Sequence, residues 1–306
     1  IYKNVSFLQF PSFAMPYLCA VKNYKNMNKE ALTKKAKEYL KVLCSDIPER
    51  KVGSEGIKCS TNYVRKHFES EGWSTEQTLL LGIDWETDGA SLTCGEHSFE
   101  VQSSPYSLGC SVEGAVLPID TLEKLESADI TERIVLLHGP ITITQVVPKE
   151  FIFYTVEEHQ RIIAALEKGK PLAIITATGR DSTTAGGCYP FAMFEDGNFD
   201  IPSVFMKDVD GEKLLSYTGK MVKLVSKARR IPEVAYNVIA RKAADQPKRI
   251  VISAHIDAKI GTPGAIDNAT GVTVLMLLAE ILKDYSGKYA IELVAFNGED
   301  YYAVPG

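Results

Sequence analysis

The sequence predicts an α/β protein: a mixed sheet with helices packed on it, interrupted by a β-rich stretch. Three observations lead there. Two amphipathic helical segments follow residue 28. Short apolar runs separated by turns fill residues 84–229. A strand, a helix and a second strand then follow one another before residue 300.

The elements can be justified in order. NKEALTKKAKEYLKVLCS sets Leu32, Ala36, Tyr39, Leu40 and Leu43 at helical spacing, with Asn28 as N-cap. IPERKVGSEG is a loop. A second helix ends at EGW, where Gly72 tolerates the positive φ of the residue after a helix. Tyr63, Val64, His67 and Phe68 share its apolar face, so His67 reads as a packed residue rather than a ligand.

From residue 84, GASLTCG, HSFEVQ, GAVLPI and RIVLLHG read as strands between turns. TVEEHQRIIAALEKGK is a helix. Thr155 and Glu158 form a T-x-x-E capping box, and Ile162, Ile163 and Leu166 face inward. PLAIITAT is a buried strand. GRDSTTAGGCYP lacks phosphate-binding glycine spacing and reads as a surface loop.

From residue 230, AYNVIARKA and RIVISAHID flank the turn-former ADQPK and predict a hairpin. NATGVTVLMLLAEILKDY is apolar almost all round, hence a buried helix. YAIELVAFNGED is an apolar strand. Strand, helix and strand make a βαβ unit with parallel strands and a right-handed crossover. With the hairpin, this gives a mixed sheet.

The bulk numbers set bounds. At 306 residues the chain has room for one large or two ordinary domains. Hydrophobic residues at 45% and charged residues at 24% fit a folded globular protein. A net charge of -5 argues against a nucleic-acid or anionic-membrane partner. No run of about 18 apolar residues is present to span a membrane. Residues 1–27 read as a leader or upstream extension. VSFLQFPSFAMPYLCA is only faintly like a secretory segment, because Lys3 is the sole early cation and Pro11 and Pro16 interrupt it. Met27 offers an alternative start. The six cysteines form no CxxC pair, which favours free or buried thiols and a cytoplasmic location over a secreted one. Nothing here sets an oligomeric state.

Chemistry concentrates at AHIDAKIGTPGAIDNATG. In a parallel α/β sheet, ligands bind outside the carboxyl ends of the strands. His255 and Asp257 stand where RIVISA runs out, Asp267 in the loop that opens the next helix, and Glu299 and Asp300 where IELVAFNG runs out. One imidazole and four carboxylates thus share a rim. Left alone, those charges repel and raise some pKa values, and a cation removes the penalty. The donor mix suits zinc, manganese or cobalt better than calcium. Taken singly, each residue reads as a cap, a turn former or a solvated charge, and Asp267-Asn268 as an N-cap. The joint pattern of H-x-D, G-A-x-D-N-A-T-G and G-E-D says more.

That pattern, in NVIARK, VISAHIDAK, PGAIDNATGV and ELVAFNGED, resembles the zinc aminopeptidases with co-catalytic metals, a family related to glutamate carboxypeptidase. PERKVGSEG resembles the family's Arg-x-x-Gly-Ser stretch. Residues 84–229 resemble the protease-associated domain that many members carry as an insert, with IPSVFMKDVDGEKLL as its closing segment. The resemblance implies a zinc exopeptidase-like fold with helices on both sheet faces. It implies a catalytic domain over residues 28–83 and 230–306.

The resemblance also implies roles. His255 would ligate one of two Zn2+ ions, Asp267 would bridge both, and Asp300 would ligate the second. Asp257 would orient His255, and the Asp267–Asn268 bond is often cis in the family. Glu299 would be the general base in peptide hydrolysis through a di-zinc-activated water, the substrate being a peptide cut at its N-terminus. Most members have Glu where Asp300 stands, one methylene longer. The family uses a further Asp and a further His beyond this point, while only YYAVPG follows Asp300. His97, His138 and His159 lie in the insert and are not expected to substitute. The expectation is therefore an incomplete enzyme, inactive or impaired as given. The alternatives are a non-catalytic binding relative, or a carboxypeptidase or amidohydrolase on the same scaffold. Glu299 argues against the first, and the lack of G-x-S-x-G against a serine hydrolase.

Overall fold

The computed structural model describes residues 28–47, 49–151, 154–181 and 187–300. The leader or extension expected over residues 1–27 lies outside them, as do Cys19 and residues 301–306. The chain divides into two compact units. One joins the residues through Leu80 with Ala235–Asp300, and the other is Leu81–Val234.

Helix α1 (Lys29–Lys41) starts where Asn28 Oδ1 accepts the main-chain N–H of Glu30 at 2.9 Å and of Ala31 at 3.3 Å. One π-turn over Val42–Asp46 ends it. Helix α2 (Glu55–Ser70) is capped by Ser54, whose Oγ accepts from Ile57 N. Ile57, Val64 and Phe68 bury its inner face completely. Gly72 adopts φ 72°, which lets Trp73 N donate back to Phe68 O. His67 packs as expected: its Nε2 lies 2.9 Å from Met276 O and its ring stands edge-on to Tyr39. Strand β1 (Ser74–Cys94) leads out of this unit.

The inserted unit continues through β2 (His97–Phe99), β3 (Gln102–Ser103), β4 (Cys110–Ile119), α3 (Leu122–Ser127) and β5 (Arg133–Leu137). Then come α4 (Glu157–Gly169), β6 (Ala173–Thr178), β7 (Ser203–Lys207), α5 (Asp208–Leu215) and β8 (Met221–Lys242). Strands β4, β5, β6 and β7 lie side by side and parallel. Their near-continuous apolar runs, IVLL and AIITA, suit strands covered on both faces. β8 joins β4 and β3 joins β7, both antiparallel. Ile162, Ile163 and Leu166 of α4 are buried as predicted. The capping box is not. α4 begins at Glu157 after Val156, so Thr155 falls outside the cap position. Glu157 and Glu158 instead sit in the first turn, where negative charge suits the helix dipole. Two of the insert's histidines have partners within this unit. His159 Nδ1 accepts from Val147 N at 3.0 Å, and His97 packs edge-on to Tyr217.

β9 (Arg249–His255), α6 (Thr270–Ile281) and β10 (Ala290–Phe296) complete the first unit. β10 pairs parallel with β9, as the βαβ pattern predicts, and antiparallel with β8. The hairpin expected between β8 and β9 is not formed, because β10 lies between them. Composition explains the order. β10 is buried along most of its length and takes the central place, whereas Arg249, Ile250 and Val251 of β9 are exposed. α6 packs Val272, Leu275, Met276 and Ala279 into the core, but Val274 stays 52% exposed, so the helix is not buried all round. Among the described residues no helix is long and apolar enough to cross a membrane. Cys44, Cys59, Cys94, Cys110 and Cys188 are free thiols.

Candidate active site

Parallel register builds the rim. Phe296 pairs with His255, so both strands end at one level and residues 297–300 arrive beside residues 255–257. His255 and Asp257 are 5% and 1% exposed. The loop from Ile256 then returns to the start of α6 and brings Asp267 back. Asp267 Oδ1 lies 2.9 Å from His255 Nε2. Glu299 Oε2 lies 3.7 Å from the same nitrogen. One ligand atom each from His255, Glu299 and Asp300 falls within 4.8 Å of the others. The Asp267–Asn268 bond is cis.

Asp257 is placed differently from the expected contact. His255 Nδ1 faces the main-chain oxygen of Asp257 at 3.1 Å, an atom that only accepts, so Nδ1 donates. The Asp257 carboxylate is 3.7 Å away, too far for a hydrogen bond but near enough to act by charge. That carboxylate accepts from Gly298 N and Asp300 N, both at 2.9 Å. It therefore clamps the end of β10 against the end of β9.

The electrostatics are those of a crowded anionic site. Burial alone would lower the His255 pKa, but Asp257, then Glu299 and Asp300, overcome it and raise it to about 9. Burial raises Asp300 to about 6, with the charges of Asp267 and Asp257 adding to it. A cation among these oxygens would relieve both strains. The donor set, one imidazole with carboxylates, fits zinc.

Three supporting features lie in the loops. Gly264 takes φ 52°, and a Cβ there would meet Ala258 Cβ at 2.5 Å and Asp267 O at 2.7 Å. Asn268 Oδ1 accepts from Gly271 N, so the capping reading of Asp267-Asn268 belongs to Asn268 while Asp267 faces the imidazole. Asn297 N donates to Asn237 Oδ1 at 2.8 Å, tying β10 to β8 just before the rim. Sequence reasoning gave Asn237, Asn297 and the buried Arg50 no individual role, although NVIARK, ELVAFNGED and PERKVGSEG contain them, because their partners are distant in the chain.

The match to known sequences falls on this rim. Residues 237–304 fit the model of peptidase family M28. That matched segment carries His255, Asp257, Asp267, Glu299 and Asp300. Aminopeptidase YwaD of Bacillus subtilis (strain 168) is 29% identical over 100 residues, which is 33% of this chain and 22% of that protein. The probable lipoprotein aminopeptidase LpqL of Mycobacterium tuberculosis is 24% identical over 234 residues, 74% of this chain and 44% of that one. Among solved structures, an aminopeptidase from Aneurinibacillus sp. strain AM-1 superimposes with a TM-score of 0.63 at 19% identity, over 87% of this chain and 63% of that chain. BSAP, a zinc aminopeptidase from Bacillus subtilis, gives a TM-score of 0.62 at 20% identity, over 86% and 61%. These likenesses show the fold: a mixed sheet flanked by helices. The chain spans less than two thirds of each of these proteins.

Proposed function

We propose that the protein is a metal-dependent aminopeptidase, or the site-bearing part of one, working with zinc. The observation that supports this most is the convergence of His255 with carboxylate oxygens of Glu299 and Asp300 at the ends of two parallel strands, with Asp267 Oδ1 2.9 Å from His255 Nε2. The M28 match over the same residues and the zinc aminopeptidase fold agree with it.

His255, Asp267 and Asp300 would hold metal, with room in the reading for two ions. When bound, zinc polarises a carbonyl and lowers the pKa of water towards ~7. The chain's own residues do the rest. The main-chain oxygen of Asp257 holds Nδ1 of His255 protonated, which leaves Nε2 directed at Asp267. The Asp257 carboxylate fixes the amides beside Glu299. Glu299, with its side chain 40% exposed, can take a proton from an attacking water and pass it to the leaving amine. The substrate in this reading is a peptide with a free N-terminus, and residues 84–229 serve as a protease-associated domain.

The test is zinc uptake against a competing chelator, followed by hydrolysis of aminoacyl anilides. Uptake abolished by removing His255 and Asp267 together is the expected result. A wild-type chain that takes up no zinc overturns the metal reading.

A further inference from the structure

Arg50 is 1% exposed, yet its guanidinium is spent on main chain rather than on a carboxylate. Nε donates to Ile256 O at 2.9 Å, Nη1 to Leu43 O and to Pro263 O at 2.8 Å, and Nη2 to Gly264 O at 3.2 Å. Its own carbonyl accepts from Ala258 N at 3.1 Å. Burial lowers the guanidinium pKa, opposed by Cys44 and then by the charges of Asp257 and Asp300.

Three of those four carbonyls belong to the loop that joins His255 to Asp267. Ile256 stands between His255 and Asp257. Pro263 and Gly264 stand just before Asp267. Inside that loop the main chain is held by few bonds of its own, among them Thr262 N to Lys259 O and Ala269 N to Gly264 O. A planar guanidinium offers five N–H groups in a fixed fork, so one side chain can hold both ends of a loop at once. A lysine ammonium has three donors at one point and cannot span the same carbonyls. Gly264 leaves the space: a Cβ there would stand 2.9 Å from Arg50 Nη2.

We propose that Arg50 is the positioning residue of the metal site: its fork sets the loop between His255 and Asp267 so that imidazole and carboxylate meet. This rests on the metal reading above. Arg50 touches no ligand atom and acts through the backbone. Its cation also lies in the field of Asp257 and Asp300, where it opposes their mutual repulsion.

The experiment compares wild type, Arg50→Lys and Arg50→Ala by zinc affinity and by amide exchange over residues 256–269. The expected result is folded variants with zinc affinity lowered about tenfold or more, the range for residues that orient metal ligands. The amides of Ala258 and Ala269 lose protection, and free guanidinium at sub-denaturing concentration restores affinity to Arg50→Ala. A role in stability alone would lower the melting temperature, leave the affinity of the folded chain unchanged and show no rescue. If Arg50→Ala does not fold, Arg50→Lys carries the same comparison. Affinity within about twofold of wild type in the folded variants, with protection kept, overturns the positioning role. If wild type takes up no zinc, the metal reading fails on its own, and amide protection in Arg50→Lys still upholds or overturns the positioning of the loop.

Discussion

His255 Nε2 and Asp267 Oδ1 lie 2.9 Å apart across a loop that begins on a strand and ends at a helix. The imidazole is buried and the carboxylate side chain is 74% exposed. In the metal-free chain the ring holds a proton that Asp267 accepts, since its pKa stands at about 9. That proton occupies the lone pair a metal needs.

Zinc uptake should therefore release a proton from His255. Between pH 6.5 and about 9 the apparent zinc affinity should climb by roughly tenfold per pH unit. Calorimetry in buffers of different ionisation enthalpy counts the protons. A flat affinity across that window would mean that Nε2 does not meet the metal.

Asp267→Asn keeps the shape and removes the charge. Zinc affinity should fall by at least about tenfold while the melting temperature of the metal-free chain stays nearly unchanged, because the side chain is largely exposed. Unchanged metal content would count against Asp267 as a ligand.

Glu299→Gln should leave zinc uptake nearly intact. In an active form of the protein, turnover of an aminoacyl anilide should drop by roughly 10²–10⁴, the usual worth of a general base. Turnover within a few-fold of wild type would remove Glu299 from that role.

Asp300 gives a stability prediction with a defined sign. Its folded-state pKa is raised to about 6 from 3.8. The folded state then holds the proton more tightly, so the charged form costs stability as pH rises from about 4 through 6. Metal-free Asp300→Asn should gain about 1 kcal/mol at pH 7.5, allowing for partial solvent screening, and nothing below pH 4. Urea titrations at the two pH values read the difference. Equal gains at both would show that charge is not the cause.

Gly264→Ala should destabilise by about 2 kcal/mol or more, through positive φ and a crowded Cβ. Denaturant midpoints measure it. A neutral substitution would show that the loop can relax away from Ala258 and Asp267.

The rim was legible because each of its parts is local. H-x-D at one strand end and G-E-D at the next need only the βαβ unit to bring them together, and the parallel pairing of β9 with β10 does so. The helices were legible from spacing and from Asn28 and Gly72. Strand order was not. A turn-former between two β-rich runs reads as a hairpin, and only competition for the buried central place puts β10 between β8 and β9. The role of the Asp257 carboxylate escaped for a similar reason. Its partners, the amides of Gly298 and Asp300, are unmarked by side chain. Arg50 stands in the recognisable stretch PERKVGSEG, but its role was hidden because its bonds reach more than 200 residues along the chain.

The central place of β10 also sets a timetable. During synthesis α1 and α2 emerge before Leu81–Val234, and all of that unit is made before β8 reaches theirs. β9 then has to wait for β10, its one strand partner among the described residues. Until β10 leaves the ribosome, the greasy faces of Phe68, Val238 and Ile252 have no finished sheet to cover them. The two helices and β10 close the same core, so its apolar surface stays open while the whole of Leu81–Val234 is translated.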